Sequence, residues 1–213
     1  SGNNPVKREQ HLNIIIEETD RLTQIVNDML DLSKLESGAQ KLDYSTFDIA
    51  QCMAEIVHRY EGVSERMGYQ IHLTLDEPCM VRCDESKIDR VIGNLINNAI
   101  NYTSKEDKQV FVTQRNLPQC VRIEVRDTGD GIEEDKIKLI FDKYYRSENH
   151  KREVVGTGLG LSIVKEILKM HNYNYGVNSK LGEGSTFWFE IRDIVPPEKP
   201  EDEEIPDAEI RQL

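Results

Sequence analysis

Residues 7–36 contain neither glycine nor proline, and their apolar side chains recur with helical spacing. With Leu12 as position a of a heptad, the a and d positions are Leu12, Ile15, Thr19, Leu22, Val26 and Met29. This pattern predicts a bundle helix roughly 45 Å long, at about 1.5 Å per residue, which Ser37 and Gly38 end. Because a lone helix of this length cannot bury its own apolar stripe, we expect it to pair with another chain or with a further helical segment.

After Gly38 the pattern changes to short strands alternating with helices. We predict strands at 40–45, 70–75, 79–83, 109–116, 120–126, 174–178 and 185–191, and helices at 48–67, 85–103 and 159–171. Asp84 is the expected N-cap of the helix over 85–103, and a hairpin is expected across Asn116, Leu117 and Pro118. The order of elements predicts an α+β two-layer sandwich with a mixed sheet, preceded by the bundle helix.

The net charge of −12 is unevenly distributed along the 213 residues. Residues 193–213 contain eight acidic and two basic side chains, so they contribute −6, and they hold four of the seven prolines. This composition predicts a disordered acidic tail. The sequence contains no run of about 18 apolar residues and no signal peptide, so we expect a soluble chain. Its four cysteines include no CxxC pair, which favours reduced thiols over disulfides or zinc ligands.

Asparagine is unusually frequent in the helix predicted over 85–103. Asn94, Asn98 and Asn101 lie at i, i+4 and i+7 and therefore share one helix face, although each asparagine costs a helix about half a kcal/mol relative to alanine. A polar stripe on an otherwise apolar helix indicates either a lined pocket or an amide-rich surface. The helix pattern leaves both interpretations open.

A glycine-rich turn follows the strand in RIEVRDTGDGI. Asp127 ends this strand, and Gly129 and Gly131 allow the backbone to turn tightly and to approach a ligand. A carboxylate in this position can accept a hydrogen bond from an exocyclic amine such as that of adenine.

A second glycine-rich segment, VVGTGLGLSIVKEILKMH, places Gly156, Gly158 and Gly160 before an apolar-periodic helix. The first backbone amides of such a helix can bind phosphate oxygens, yet the spacing fits neither the dinucleotide-binding GxGxxG turn nor the Walker pattern. The polar connection before it, FDKYYRSENHKREVV, is either a lid over anions or a solvated loop. Its cations are Lys143, Arg146, Lys151 and Arg152.

These motifs, in this order, resemble the catalytic domain of bacterial sensor histidine kinases, within the larger superfamily of gyrase-type, chaperone-type and mismatch-repair ATPases. NLINNAINYT resembles the N box, DTGDGI the first glycine box, FDKYYR the F box, GTGLGLSIVK the second glycine box and GEGSTFWFEI the closing strand region. The long helix, with its exit DMLDLSKLESG, is similar to the family's second dimerisation helix. The resemblance therefore implies a dimerisation helix in 1–38, a catalytic ATP-binding domain in 39–192, and the acidic tail in 193–213.

The resemblance implies a Bergerat-type (GHKL-type) ATP-binding fold that uses ATP and Mg²⁺. Asn98 would coordinate Mg²⁺, Asn94 would face the same site, and Asp127 would bind adenine. Lys143 and Arg146 would counter phosphate charge. The other nucleotide contacts that it implies are Tyr102, Gly129, Gly131, Ile132, Tyr145, Gly156, Thr157, Gly158, Leu159, Gly160, Leu161 and Thr186.

Two departures from the family pattern affect the expected activity. Asn101 stands where the family often has a lysine, and none of the five histidines is followed by an acidic and then a basic residue, as the phosphoacceptor histidine is. We therefore expect a chain that binds ATP without phosphorylating itself. The full protein would transfer the γ-phosphoryl group to a histidine and thence to a response-regulator aspartate. It would form a homodimer through the long helix, bind no nucleic acid, and be anchored in the cell membrane by other segments.

Two alternatives remain at this stage. The first is an ATP hydrolase of the same superfamily; hydrolase relatives usually have a glutamate where this chain has Asn94, and an amide cannot serve as that base. The second is a non-catalytic dimeric signalling scaffold, which the neutral Asn101 favours slightly.

Overall fold

The computed structural model describes residues 5–103, 108–145 and 157–196. The four helices of these segments are α1 (Pro5–Glu36), α2 (Ile49–Met67), α3 (Glu85–Tyr102) and α4 (Gly160–Met170). The seven strands are β1 (Ser45–Asp48), β2 (Gln70–Thr74), β3 (Met80–Cys83), β4 (Gln109–Leu117), β5 (Cys120–Asp127), β6 (Asn174–Lys180) and β7 (Gly184–Ile191).

Five strands form the main sheet in the order β2-β4-β5-β7-β6. Only the β2–β4 pair is parallel, with Gln70 opposite Gln109, and the other three pairs are antiparallel. Alternate residues of the central strands are buried, among them Val112, Ile123 and Phe189, and they form one core with α2, α3 and α4. The mixed sheet with helices on one face confirms the predicted two-layer sandwich.

Side chains and glycines set the ends of the helices. Asp84 accepts a hydrogen bond from the backbone N–H of Lys87 at 3.1 Å and caps α3, as predicted. Asp48 caps α2 in the same way through Ala50. Gly68 then ends α2 in the left-handed conformation that glycine adopts most readily, with φ of 71°.

The prediction of a strand at 40–45 is wrong, because the strand in this region is β1 (Ser45–Asp48). It pairs with β3 so that Phe47 lies opposite Val81. The segment before it is attached by side chains instead: the backbone N–H of Asp43 donates to Asp84 at 2.9 Å, and Lys87 donates to Gln40. The first strand is therefore positioned by its pairing with β3, not by the alternation in its own sequence.

Two further expectations needed correction at element ends. The β4–β5 hairpin turns at residues 118–119, because β4 continues to Leu117, one residue further than predicted, while β5 begins at Cys120 as predicted. The start of the predicted tail is ordered, since Ile194 bridges Val81 and the N–H of Val195 donates to the carbonyl of Met80 at 2.8 Å. Residues 197–213, the rest of that predicted disordered tail, lie outside the described residues.

The two ends of α1 have different surroundings. Near its C-terminus, Leu32 and Leu35 are buried against the two-layer sandwich, and Arg90 on α3 forms an ion pair with Asp31 at 2.7 Å. The predicted stripe at Leu12, Ile15, Leu22, Val26 and Met29 is 46–61% exposed. Among the described helices none is long and apolar enough to span a membrane.

Candidate functional site

Asp127 lies at the end of β5 and is 3% exposed. Its Oδ1 accepts hydrogen bonds from the backbone N–H of Gly129 at 2.8 Å and of Ser185 at 3.2 Å. These two donors come from the turn after β5 and from β7, which pairs with β5. The carboxylate therefore has a fixed orientation at the wall of a cavity.

The glycines of the turn are required by close backbone contacts. A Cβ on Gly129 would lie 2.6 Å from the carbonyl oxygen of Tyr102, and one on Gly131 would lie 2.1 Å from that of Lys180. Gly131 also has φ of +73°, which side chains rarely tolerate. The turn thus packs directly against the end of α3 and the β6–β7 connection.

Asp127 opens into a cavity that we call the inner cavity. Most of its wall surface is apolar, although polar side chains also line it, a combination typical of a pocket for a small organic ligand. The apolar side chains are Ile132, Ile140, Leu161, Leu181 and Phe187, and the polar or aromatic ones include Asn98, Tyr102, Asp127, Asp130, Glu133, Lys136, Tyr145 and Ser185. Behind this wall the ring of Phe141 makes edge contacts with Phe187 and Tyr175.

A second cavity, the outer cavity, continues from the inner one, because Asn98, Tyr102, Ile140, Tyr145 and Leu161 line both. One wall is the asparagine face of α3, a second is the start of α4, and the third is α1. The α3 residues are Asn94, Asn97, Asn98 and Asn101. Thr157 and Gly158 precede α4, and Gly160 and Leu161 begin it. The α1 residues are Glu17, Glu18, Asp20, Arg21, Gln24 and Asp28. The asparagine stripe therefore lines a cavity.

The start of α4 has the features of an anion site. Leu159, the N-cap residue, makes no side-chain capping bond, so its own side chain does not occupy the first amides of the helix. Asn94 Nδ2 donates to the carbonyl of Gly160 at 3.3 Å, which uses the amide nitrogen and leaves Oδ1 as the acceptor. The positive end of the helix dipole adds to this preference for negative charge.

The sequence model of the family described as histidine kinase-, DNA gyrase B- and HSP90-like ATPase matches residues 83–194, which is 112 of the 213 residues. The chain belongs to this family. A second model, of the His Kinase A (phospho-acceptor) domain, matches residues 2–38. Within the ATPase family the chain is a histidine kinase catalytic domain, because it carries this second match and its relatives are sensor kinases.

Curated relatives of this histidine kinase domain align with most of the chain. The uncharacterized sensor-like histidine kinase ycf26 of Pyropia yezoensis is 35% identical in an alignment 196 residues long, and the match covers 85% of the chain and 30% of that protein. Drug sensory protein A of Synechocystis is 36% identical over 87% of the chain and 29% of that protein. The sensor protein kinase WalK of Staphylococcus saprophyticus is 34% identical over 85% and 30%. The chain thus spans about 30% of the length of these relatives.

Solved histidine kinase structures share the fold. Full-length ShkA in complex with AMPPNP superposes with a TM-score of 0.78 at 26% identity, over 89% of this chain and 40% of ShkA. ThkA in complex with the response regulator TrrA superposes with a TM-score of 0.72 at 25% identity, over 93% of this chain and 54% of ThkA.

The described structure of the histidine kinase domain brings together most of the predicted site residues. Asn98, Tyr102, Asp127, Gly131, Ile132 and Tyr145 line the inner cavity, and Asn94, Thr157, Gly158, Gly160 and Leu161 line the outer one. Gly129 supports Asp127 from the turn. Arg146 and Gly156 lie outside the described residues.

Three predicted residues lie elsewhere. On β7, Thr186 lies opposite Arg126 of β5, and strand alternation points the Thr186 side chain away from the cavity face. Its neighbours Ser185 and Phe187 line the inner cavity instead. Leu159 is fully buried in the core. Lys143 forms an ion pair with Glu36 at 2.6 Å and lines neither cavity.

The contribution of α1 to the site was not foreseen. Asp28 accepts a hydrogen bond from Thr157 Oγ1 at 3.0 Å across 129 residues of sequence. Thr157 Oγ1 also accepts from the backbone N–H of Leu159 at 3.2 Å. No local pattern in residues 17–28 signals this contact, because only the docking of α1 creates it.

The amide oxygens of the outer cavity fit a magnesium ion that binds together with a phosphate-containing ligand. Within the described segments no group of three or more histidine, cysteine or acidic side chains could hold a metal. The amide oxygens of Asn94 and Asn98 are hard ligands of the type that Mg²⁺ accepts when phosphates and waters supply the rest of its shell.

Proposed function

We propose that this chain binds ATP with Mg²⁺ and is the catalytic part of a two-component sensor histidine kinase. The γ-phosphoryl group would pass to a histidine in a phosphoacceptor box, which this sequence lacks, and then to an aspartate of a response regulator. One observation carries the proposal: a buried, oriented carboxylate opens into an apolar cavity that continues into one lined by amides and a helix start.

The inner cavity suits the adenine ring. Asp127 would accept a hydrogen bond from the exocyclic amine, while Ile132, Leu161 and Phe187 would cover the faces of the ring. Because Gly129 and Ser185 hold Asp127 from two different elements, the carboxylate needs no reorientation when the base binds.

The outer cavity suits the phosphates. The first amides of α4, with Gly158 and Gly160, would bind phosphate oxygens, and Asn98, with Asn94 beside it, would coordinate Mg²⁺. When bound, Mg²⁺ would neutralise phosphate charge and orient the transferring group. Lys143 and Arg146 are proposed to stabilise that charge, which for Lys143 requires its ion pair with Glu36 to open.

The amide of Asn94 favours phosphoryl transfer over hydrolysis. Asn94 lines the outer cavity and has its nitrogen engaged by Gly160, so it offers no basic group that could activate water. A carboxylate at this position would be needed for general-base hydrolysis.

We further propose the organisation of the parent protein. Residues 1–38 would form the second helix of a dimerisation and phosphotransfer hairpin, and 39–192 the catalytic domain. The ThkA complex supports a response regulator as a partner, and the match to the phospho-acceptor domain supports a homodimer. By its resemblance to sensor kinases, the chain would be the cytoplasmic part of a protein anchored in the cell membrane by other segments.

Calorimetric titration with ATP, with and without Mg²⁺, tests the proposal. We expect saturable binding that Asp127→Asn weakens about tenfold or more, because the variant replaces the charged acceptor by a neutral amide. Asp89→Asn is the matched control: it removes a carboxylate that is paired with Arg59 at 2.6 Å and lines neither cavity.

The proposal fails if the folded wild-type chain binds no ATP under either condition, or if the Asp127 and Asp89 variants bind ATP equally well. Steady phosphate release from ATP at an appreciable rate would instead favour the hydrolase alternative.

A further inference from the structure

The charges that line the outer cavity are unusual for a site that receives a polyanion. The α3 wall offers only the neutral side chains of the asparagine stripe, including Asn101 at its C-terminal end. Among the described residues that line this cavity, Arg21 of α1 is the single cation, and four carboxylates of α1 lie around it: Glu17, Glu18, Asp20 and Asp28.

Arg21 has hydrogen-bonding capacity that is not used within the described structure. Its Nε is buried without a partner among the described residues. Its Nη1 lies 3.7 Å from Glu18 Oε1, beyond hydrogen-bond distance, and the Arg21 side chain is 33% exposed whereas that of Glu18 is 60% exposed. A guanidinium group has five N–H donors, and Arg21 lines the outer cavity with its Nε unpaired and its Nη1 only loosely paired with Glu18.

The neighbouring carboxylates engage Arg21 only weakly, because its ion pair with Glu18 is long, at 3.7 Å, and lies at a solvent-exposed position. Asp28, the most buried of the four, is engaged by Thr157 at 3.0 Å and Gln24 at 2.9 Å, and it lies 3.4 Å from Arg90. Glu17, Glu18 and Asp20 are exposed, so water screens their charges. Because Arg21 is partly buried, water screens its positive charge less than it screens these three carboxylates.

The order of the cavities defines which part of a nucleotide reaches Arg21. Asp127 belongs only to the inner cavity, Asn98 and Tyr102 lie at the junction, and α1 forms the far wall of the outer cavity. A nucleotide with its base at Asp127 would extend its phosphates past Asn98 towards α1, so the terminal phosphate would come nearest to that wall.

We propose that Arg21 binds the terminal phosphate of ATP and so makes α1 part of the nucleotide site. This inference rests on the proposed function. Arg21 supplies from α1 the positive charge that the amides of α3 lack. The dimerisation helix would thus contribute a phosphate-binding residue to the ATP site of the catalytic domain. A planar guanidinium can bind two phosphate oxygens at once, which a lysine cannot do.

Calorimetry with ATP and with ADP, both with Mg²⁺, tests this role in the chain as it stands. We expect Arg21→Gln to weaken ATP binding about tenfold or more while ADP binding stays within about twofold. Arg21→Lys should give an intermediate loss for ATP, because it keeps the charge but not the bidentate geometry. Arg8→Gln is the control: an exposed arginine of the same helix that lines neither cavity.

The outcomes separate the two proposals. If the wild type binds both nucleotides and Arg21→Gln changes neither affinity, or lowers both equally, the role of Arg21 is wrong and the ATP site stands. If the wild type binds neither nucleotide, the proposed function itself is overturned and this inference with it. Thermal unfolding of each variant shows that the fold is retained.

Discussion

Gly184 shows how a single residue can be required by the approach of two strands. It has φ of +101°, and a Cβ there would lie 2.1 Å from the carbonyl oxygen of Asp127. Gly182 also has a positive φ, +84°, but a Cβ there would meet nothing within 4 Å. Substitution of Gly182 would therefore test backbone strain alone, whereas substitution of Gly184 would test strain together with steric crowding.

We expect Gly184→Ala to lower the free energy of unfolding by about 2 kcal/mol more than Gly182→Ala, which should cost about 1 kcal/mol through its φ alone. Urea unfolding of both variants measures the difference. Equal losses would show that φ, and not the contact with Asp127, makes glycine necessary at Gly184.

His171, at the C-terminus of α4, is a buried residue with a pH-dependent role. Its Nδ1–H donates to the carbonyl of Ile167 at 2.8 Å, and its Nε2 accepts from the backbone N–H of Asp84 at 3.3 Å. Burial lowers the pKa of His171, although the bond to Ile167 and the carboxylates of Asp84 and Asp193 act in the opposite direction and Lys87 adds to the lowering. The rings of Tyr44 and Tyr173 complete its surroundings.

Because the folded chain holds His171 neutral, the unfolded chain binds its proton at a higher pH. The stabilisation is therefore present above the unfolded pKa of about 6.5 and is lost as pH falls through the lower folded pKa. We expect urea unfolding to show a smaller stability loss in His171→Gln than in the wild type between about pH 7.5 and about pH 5.5. His58→Gln, at an exposed histidine, should keep the wild-type loss; parallel losses in all three proteins would contradict the prediction.

At the scale of elements, the docking of α1 against the sandwich adds a third wall to the outer cavity. Leu32 and Leu35 bury the last turns of the helix against the domain, and ion pairs from Arg90 to Asp31 and from Lys143 to Glu36 flank them. Since exposed ion pairs contribute little, burial of the two leucines is the main source of the docking energy.

Leu35→Ala should therefore lower the free energy of unfolding by about 2–4 kcal/mol and increase amide exchange along α1. Leu139→Ala, which truncates a 45% exposed leucine of the catalytic domain, should change stability by at most about 0.5 kcal/mol. If hydrogen exchange in α1 is the same in both variants, the helix is not docked through Leu35 in solution.

At the scale of the whole molecule, the N-terminal part of α1 leaves an apolar stripe in contact with solvent. Leu22 is 61% and Val26 55% exposed, and the heptad spacing continues from Leu12 to Met29. Such a stripe is stabilised by a second helix with the same pattern, so a homodimer remains the predicted state.

Sedimentation of the chain should give a mass near twice 24.6 kDa, and Val26→Glu should shift it to the monomer because each protomer would then bury a charge in the seam. Asn27→Glu introduces the same charge at the next, exposed position off the stripe and should leave the dimer intact. A monomeric wild type, or equal effects of the two substitutions, would exclude pairing through this stripe.

Much of the fold could be predicted because its signals are local. The cap at Asp84, the helix end at Gly38, the helical period of residues 7–36 and the glycine-rich turns depend on near neighbours in sequence. The glycine spacing after Asp127 is also a local signal, although the contacts that require Gly129 and Gly131 come from the distant residues Tyr102 and Lys180. These features were sufficient to indicate the family.

The misplaced expectations depend on pairing between distant segments. The alternation near residue 45 was compatible with more than one strand position, and β3 selected the one that places Phe47 opposite Val81. The choice between Thr186 and Ser185 follows from the register of β7 on β5, because shifting a strand by one residue exchanges its two faces.

The sequence by itself thus determined the element order, the family and the residues of the amide and glycine motifs, since each of these is written in short-range spacing. Only the tertiary structure decided that α1 folds back over the start of α4, so that Asp28 meets Thr157 and Arg21 faces the asparagine stripe. The physical reason is that burial of Leu32 and Leu35 against the sandwich positions α1. The residues that this docking brings together are far apart in the chain, so no local sequence pattern predicts their contact.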